Sequence, residues 1–253
     1  MLNRTKRLRI MAGPNGSGKS TVLKAVRNNF FSGPFVNADD IEKSFRERKI
    51  LNLLSEYDLS VLDNDFVLFL KGKGISWTEK AHAENIDICI KCENGILIAD
   101  KVPTSYDAAL AADFIRHCLL AKNETFTFET VLSHPSKVSF LEESRSAGFK
   151  NYLYFICTAS PEINIERVKQ RFSLGGHNVP EHKITKRYFE SLSVLSQLIP
   201  LCYRVYLFDN SSEEISINPM AEIDYTGQFL LHSNQIPWWV QEYVIDKLSK
   251  KIV

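Results

Sequence analysis

The stretch GPNGSGKST, residues 13 to 21, constrains this 253-residue chain more than any other feature of its sequence. Gly13, four further residues, and then Gly18, Lys19 and Ser20 match the pattern GxxxxGK[ST], in which glycines let the backbone wrap around phosphate oxygens. The apolar run before the stretch predicts a strand, and the residues after it predict a helix beginning at Lys19. This order predicts a phosphate-binding loop (P-loop) at the start of a parallel β-α-β unit.

The P-loop predicts a nucleotide site. Backbone amides and the N-terminus of the following helix would face the phosphates. The Lys19 ammonium would reach the β and γ phosphates, and the Ser20 hydroxyl would ligate Mg²⁺. The alternative, a purely structural glycine turn, is disfavoured because the motif and its strand-helix context agree. The expected nucleotide-binding residues are Gly13, Pro14, Asn15, Gly16, Ser17, Gly18, Lys19, Ser20 and Thr21.

Composition restricts the other classes of function. The chain is 44% apolar and 24% charged with a net charge of +1, which is typical of a soluble globular protein and creates no overall field for nucleic acid or membrane. No apolar run reaches the roughly 18 residues of a membrane span, so a cytoplasmic location is expected. The five cysteines are an odd number, and Cys89 and Cys92 form a lone CxxC, which favours reduced structural thiols over a metal or redox site.

The rest of the chain mostly continues the alternation of strands and helices. Residues 51–104 break it, because IDICIKCENGILIADK alternates from Ile86 to Cys92, turns at Asn94 and Gly95, and continues as a second apolar run, which predicts a β-hairpin. The predicted fold class is α/β, a P-loop NTPase or kinase fold with a mostly parallel sheet flanked by helices and an inserted segment that contains the hairpin. We expect one domain over residues 1–253 and a lid at about 167–187.

Acidic residues follow two of the predicted strands. Asp39 and Asp40 come directly after the second strand, where an open α/β sheet places its ligands, so Asp39 could take the proton of an attacking hydroxyl or order a metal-bound water. Its alternative role is to cap the helix that follows. Glu129 ends an apolar strand, which favours a role in positioning an acceptor or magnesium, and Thr130 could cap the next turn.

The segment ERVKQRFSLGGHNVPEHKITKRY predicts a mobile lid. Arg167 and Arg171 are four residues apart on a helix, two glycines follow, and His177 and Arg187 come next. Arginines that close over a nucleotide compensate the charge of the transferring phosphate. The alternative is a solvated basic helix face.

A likeness to ABC ATPases is weaker. SLGGH is similar to their signature loop, and Asp209 at the end of RVYLF could be a Walker B aspartate. An ABC ATPase requires a water-activating glutamate after that aspartate, and Asn210 stands there instead. Asp209, Asn210 and Ser211 are therefore expected to border the nucleotide base or to form the exit turn of the last strand.

Several stretches together resemble the zeta toxin family of P-loop kinases. They are GPNGSGKST, VNADDI, FETVLS, and PEINIERVKQR running into GGHNVPEHKITKRYFESL. They follow one another in the family's order from the P-loop to about residue 195. The resemblance implies an α/β P-loop kinase fold and transfer of a nucleotide's γ phosphate to the 3′ hydroxyl of the aminosugar in UDP-N-acetylglucosamine.

The same resemblance implies roles for single residues. Asp39 corresponds to the general base, Lys19 and Ser20 to the phosphate and magnesium residues, and Glu129 to the acid near the acceptor. Arg167 matches the first lid arginine. His177 stands where better-known toxins have an arginine, which leaves Arg171 or Arg187 to supply the second charge.

The leading hypothesis is a Mg²⁺-dependent phosphotransferase that uses ATP or GTP and an alcohol group of a small molecule as acceptor. The alternative is an ATPase or NTP-binding switch that acts on a protein or nucleic-acid partner, although the near-neutral charge argues against nucleic acid. The resemblance also implies an antitoxin protein as a partner, whose helix would occlude the nucleotide site.

Overall fold

A computed structural model describes residues 5–27, 32–174, 179–212 and 218–249. The chain divides into two compact units, of which the first contains Met1–Ser32 and Glu129–Val253 and the second contains Gly33–Phe128. The predicted insertion, residues 51–104, lies wholly within the second unit. Among the described residues, no helix is both long and apolar enough to cross a membrane.

Strands and helices alternate along most of the chain. The strands are β1 (Arg7–Ala12), β2 (Phe35–Val36), β3 (Ile50–Asn52), β4 (Ile90–Glu93), β5 (Ile96–Ala99), β6 (Phe126–Thr130), β7 (Lys150–Cys157), β8 (Arg204–Asp209), β9 (Ala221–Asp224) and β10 (Phe229–Leu231). The helices are α1 (Lys19–Arg27), α2 (Ala38–Arg48), α3 (Leu53–Tyr57), α4 (Asp63–Lys71), α5 (Ile75–Ala83), α6 (Ser105–Ala121), α7 (Ser136–Ser146), α8 (Pro161–Ser173), α9 (Glu181–Leu198), α10 (Trp238–Val240) and α11 (Asp246–Ser249). A 3₁₀ turn, Ile199–Leu201, follows α9, and a π-helical turn, Gln241–Ile245, joins α10 to α11.

The first unit is built on a mostly parallel set of strands in the order β1-β7-β8-β9-β10. β1, β7 and β8 are parallel, whereas β9 and β10 form an antiparallel hairpin on β8. Leu8, Ile10, Leu153 and Phe155 are fully buried on the central strands, as the apolar runs in the sequence predict. The fold class predicted from the sequence, an α/β chain with a mostly parallel sheet flanked by helices, is confirmed.

The second unit contains a parallel pair, β2 with β6, and a separate three-stranded antiparallel sheet in the order β3-β5-β4. The predicted hairpin is confirmed, because β4 pairs with β5 around Asn94 and Gly95, whose φ angles of 53° and 74° are those of a tight two-residue turn. It is shorter than the alternation suggests, since β4 begins at Ile90, and Ile86 and Ile88 precede it outside any strand. β3 is a third strand that the sequence pattern did not reveal.

A buried carboxylate joins the hairpin to α6. Asp107 is fully buried, and its Oδ1 accepts a hydrogen bond from the Cys89 amide at 2.7 Å. Its Oδ2 accepts from the amide and the hydroxyl of Thr104, at 2.8 and 2.7 Å. Thr104 is the N-cap of α6, and its side chain accepts a hydrogen bond from the Asp107 amide.

Replacing Asp107 by Ala should lower the free energy of unfolding by about 3 kcal/mol, because three partly buried donors would lose their acceptor. Chemical denaturation monitored by circular dichroism measures this loss. Asp87→Ala is the matched control, since the Asp87 side chain is 82% exposed and should cost less than about 0.5 kcal/mol. Equal losses for the two variants would contradict the anchoring role of Asp107.

Candidate active site

The P-loop connects β1 to α1, and its three glycines lie against backbone and side-chain atoms with no room for a Cβ. A Cβ on Gly13 would stand 2.0 Å from the Ile156 carbonyl oxygen, and one on Gly16 would stand 2.5 Å from the Asn164 carbonyl oxygen. All three glycines have positive φ angles, 146° at Gly13, 78° at Gly16 and 92° at Gly18. Both steric room and backbone conformation therefore require glycine here.

Lys19 is the buried cation of the loop. Its ammonium donates hydrogen bonds to the carbonyl oxygens of Gly13 and Pro14, both at 3.0 Å, and lies 3.8 Å from Glu129 Oε1. The side chains are only 8% and 12% exposed, so each charge compensates the other in a site with little water. The ion pair adds a role for Glu129 that the sequence did not predict, whereas its role toward an acceptor or magnesium stays a prediction.

Ser20 lies exposed in the first turn of α1, next to the loop. Within the described ranges, no group of three or more His, Cys, Asp or Glu side chains could hold a metal ion. Mg²⁺ at P-loops needs few protein ligands because phosphate oxygens and water complete its shell. The loop, with its closely packed backbone and an exposed hydroxyl at the helix start, fits a magnesium-nucleotide ligand held in this way.

Two buried asparagines hold the backbone of the loop, a role that the sequence analysis predicted for neither of them. Asn164, in the first turn of α8, donates from Nδ2 to the Asn15 carbonyl oxygen at 2.6 Å. Asn210, directly after β8, donates from Nδ2 to the Ser17 carbonyl oxygen at 2.8 Å. Neither residue belongs to a motif that would indicate this contact. The one general signal is that a buried side-chain amide needs a hydrogen-bond partner, and this rule does not say which partner it is.

The predicted lid arginines have three different environments. Arg167 donates to the carbonyl oxygens of Asn210 and Ser212, at 2.8 and 2.9 Å. Arg171 is exposed on α8, and Arg187 on α9 approaches Asn15 Oδ1 at 3.5 Å. His177 lies outside the described residues. The two arginines of α8 therefore do not act as a pair in this structure.

Asp39 and Asp40 lie exposed in the first turn of α2, in the second unit. The N-cap of this helix is Asn37, whose Oδ1 accepts from the Asp39 amide at 2.9 Å. The capping role that the sequence allowed for the Asp39 side chain is therefore filled by another residue. Although Asp40 is exposed as a residue, partial burial of its carboxyl group raises its pKa, and the nearby charge of Asp39 raises this pKa further.

The remaining candidate residues of the first unit, Thr130 and residues 209–211, form turns at the ends of strands. Thr130 Oγ1 accepts from the Leu132 amide at 3.1 Å, so Thr130 caps the turn after β6 as predicted. Asp209 Oδ1 accepts from the Ser211 amide at 2.9 Å, and the Asn210 amide donates to the Cys157 carbonyl oxygen at 2.8 Å. Of the two roles predicted for Asp209, Asn210 and Ser211, the structure shows the exit turn of β8.

The cysteines are all free thiols, as expected. Burial raises the pKa of Cys157 and of Cys118 to about 12, so both remain protonated at neutral pH. Cys89 immediately precedes β4, Cys92 lies within that strand, and both are free thiols. The structural role of these two cysteines stays a prediction.

Replacing Gly16 by Ala should destabilise the protein more than Gly227→Ala does. Gly227 has a similar φ of 85° but nothing within 4 Å of the position of a Cβ, so it measures the conformational cost, about 1 kcal/mol, without a clash. The Gly16 variant adds a collision with backbone and should cost about 1–3 kcal/mol more in urea denaturation. Equal costs would show that the loop can move away from Asn164.

Comparison with known proteins gives partial matches in sequence and fuller ones in fold. No family model matches the chain. An uncharacterized protein of Haemophilus influenzae is 30% identical over 82 residues, which are 32% of this chain and 59% of that protein. The chain therefore spans less than two thirds of this relative.

Solved structures match over most of the chain. The AvrRxo1-ORF1:AvrRxo1-ORF2 complex with sulphate ions has a TM-score of 0.53 at 15% identity, covering 92% of this chain and 62% of that one. The same complex with ATP has a TM-score of 0.52 at 15% identity, covering 91% and 61%. A structure of the PezAT chromosomal toxin-antitoxin system of Streptococcus pneumoniae has a TM-score of 0.46 at 13% identity, covering 100% and 86%.

Sequence identities of 13–15% support a similarity of fold alone. The matches with TM-scores above 0.5 and the P-loop between β1 and α1 agree with the architecture that the sequence predicts. The chain is therefore similar in fold to the AvrRxo1-ORF1:AvrRxo1-ORF2 structures, with an α/β architecture and a P-loop between β1 and α1.

Proposed function

We propose that this protein is a kinase that transfers the γ phosphate of ATP or GTP to a hydroxyl group of a small molecule. The observation that carries the proposal is the buried Lys19 ammonium, held by two carbonyls of a loop that has no space for side chains and 3.8 Å from Glu129. Such a cation, at the start of a helix, is suited to phosphate oxygens that would replace the loop carbonyls as its partners.

The donor half of the proposed site belongs to the first unit. Loop amides and Lys19 would bind the phosphates, and a solved protein of similar fold was crystallised with ATP. Ser20 would be the protein ligand of Mg²⁺, which would bridge and neutralise phosphate oxygens when bound. Arg187, which approaches Asn15, and the exposed Arg171 are the proposed sources of additional positive charge, with His177 as a further candidate.

The acceptor half rests on Asp39 as general base. In the proposed reaction the acceptor oxygen bonds to the γ phosphorus while the bond from that phosphorus to the bridging oxygen of the nucleoside diphosphate breaks, and the acceptor proton passes to Asp39. Since Asn37 caps α2, the Asp39 carboxylate is not engaged in the capping hydrogen bond of that helix. Glu129 and Thr130 are the proposed residues for positioning the acceptor, and UDP-N-acetylglucosamine is the acceptor that the family resemblance favours.

A coupled assay of nucleoside diphosphate release, with mass spectrometry of the product, tests the proposal. We expect release that rises when UDP-N-acetylglucosamine or another alcohol is added, together with a phosphorylated product. Release that is indifferent to every acceptor but rises with DNA, RNA or a protein would favour an NTP-driven switch instead. An antitoxin partner would be detected by its inhibition of nucleotide binding, a role suggested by similar folds solved as two-protein complexes.

Lys19→Met should weaken the affinity for magnesium-ATP about 10- to 100-fold, because a charge-assisted bond to phosphate is lost. Isothermal titration calorimetry measures the affinity directly. Lys24→Met is the matched control, since it removes the same charge from an exposed position of the same helix and should leave the affinity unchanged. Similar weakening by both variants would indicate a general effect of charge.

Asp39→Asn should keep the affinity for nucleotide and lower the rate of transfer roughly 100-fold or more, because the acceptor hydroxyl would lose its base. Single-turnover measurements with saturating donor separate the two quantities. The control Glu47→Gln removes an exposed carboxylate from the same helix, where it forms an ion pair with Lys43 at 3.9 Å, and should be neutral. An unchanged transfer rate in Asp39→Asn would exclude Asp39 as the base.

A further inference from the structure

We infer that Asn164 and Asn210 are positioning residues for the P-loop and that Arg167 acts on the same loop through Asn210, not on the transferred phosphate. The inference deepens the proposed function and rests on it, because it concerns the nucleotide site. It assigns roles to two residues outside the P-loop motif. It also gives Arg167 a task different from the one implied by the family resemblance.

Asn164 holds the first half of the loop. Its side chain is fully buried, Oδ1 contacts the Thr158 hydroxyl, and Nδ2 donates to the Asn15 carbonyl oxygen at 2.6 Å. In a trans peptide the carbonyl and the following amide point in opposite directions. Drawing the Asn15 carbonyl toward α8 therefore turns the Gly16 amide away from α8.

Asn210 holds the second half in the same way. Its side chain is 2% exposed, and Nδ2 donates to the Ser17 carbonyl oxygen at 2.8 Å. This bond turns the Gly18 amide to the opposite side by the same peptide geometry. Two buried amides, from α8 and from the end of β8, thus orient two of the N–H groups that a P-loop offers to phosphate.

Arg167 fixes the segment that carries Asn210. Its NH1 nitrogen donates to the Asn210 carbonyl oxygen at 2.8 Å, and its NH2 nitrogen donates to the Ser212 carbonyl oxygen at 2.9 Å. Both arms of the guanidinium are therefore bonded to the turn after β8. Since Asn164 and Arg167 are three residues apart on α8, one face of this helix controls the loop, directly at Asn15 and indirectly through Asn210.

This arrangement predicts an effect that a direct contact with the γ phosphate would not produce. A loop with misoriented amides binds every phosphate chain less well, so affinity for ADP and for ATP should fall by the same factor. A residue that contacts only the transferred phosphate would change ATP affinity or turnover and leave ADP affinity intact. The comparison of ADP with ATP therefore separates positioning from direct contact.

The experiment measures dissociation constants of ADP and of a non-hydrolysable ATP analogue by calorimetry, both with Mg²⁺. Asn164→Ala, Asn210→Ala and Arg167→Ala should each weaken both ligands roughly tenfold, the effect expected from losing a buried hydrogen bond that supports the site. Arg167→Lys should restore little of the affinity lost in Arg167→Ala, because lysine lacks the rigid guanidinium fork that reaches the two carbonyls from two separate nitrogens.

Asn151→Ala is the matched control for a buried amide. Asn151 is 1% exposed and donates from Nδ2 to the carbonyl oxygens of Leu141 and Leu201, at 3.1 and 3.0 Å. It pairs with Leu8 on β1, five residues or roughly 17 Å of strand before Gly13, where the loop begins. Asn151→Ala should lower thermal stability and leave ADP affinity unchanged. Gln170→Ala, a substitution at an exposed position of α8, should change neither thermal stability nor ADP affinity.

Three results would overturn the inference. One is ADP affinity within twofold of wild type in the three alanine variants. Another is loss of ATP affinity alone in both Arg167 variants, which would place Arg167 at the transferred phosphate. The last is equal weakening by Asn151→Ala, because affinity would then follow stability only. A wild-type chain that binds no nucleotide would instead reject the proposed function itself, and the inference with it.

Discussion

The structure of the candidate site depends on how closely the P-loop approaches the segments around it. The loop passes so near to Ile156, Asn164 and Asn210 that a single Cβ at any of its glycines would collide with them. That closeness lets buried amides reach loop carbonyls and brings the Lys19 ammonium into the loop, beside Glu129. Glycine is therefore required at these positions for two reasons. The neighbouring segments leave no space for a Cβ, and the loop backbone itself has positive φ angles.

Features that depend on neighbouring residues were predictable from the sequence. The strand before the P-loop and the helix after it follow from an apolar run and a glycine pattern within about twenty residues. The turn of the β4-β5 hairpin follows from Asn94 and Gly95, which adopt left-handed conformations at little cost.

Contacts between distant residues were not predictable, because no spacing rule connects them. Asn164 and Asn15 are 149 positions apart, and Asn210 and Ser17 are 193 apart. Arg167 appeared by its helix position to be a free lid cation, whereas its partners are carbonyls beyond β8. Every residue has a backbone carbonyl, so the sequence does not indicate which carbonyl will accept a given hydrogen bond. These bonds can be found only once the fold is known.

The polar residues of the candidate site fall into two groups with different consequences. Asn37, Asn164, Asn210 and Arg167 have their donors or acceptors bound to the backbone of this chain, and such residues build the site. Ser20, Asp39 and Arg171 are exposed, and in the described part of the chain their side chains make no hydrogen bond or ion pair. An enzyme needs both kinds, because a group already satisfied by the protein cannot exchange protons or bonds with a substrate without breaking its own contacts. Asn37 illustrates the division: because its side chain accepts the capping hydrogen bond of α2, the Asp39 carboxylate is not occupied by that bond.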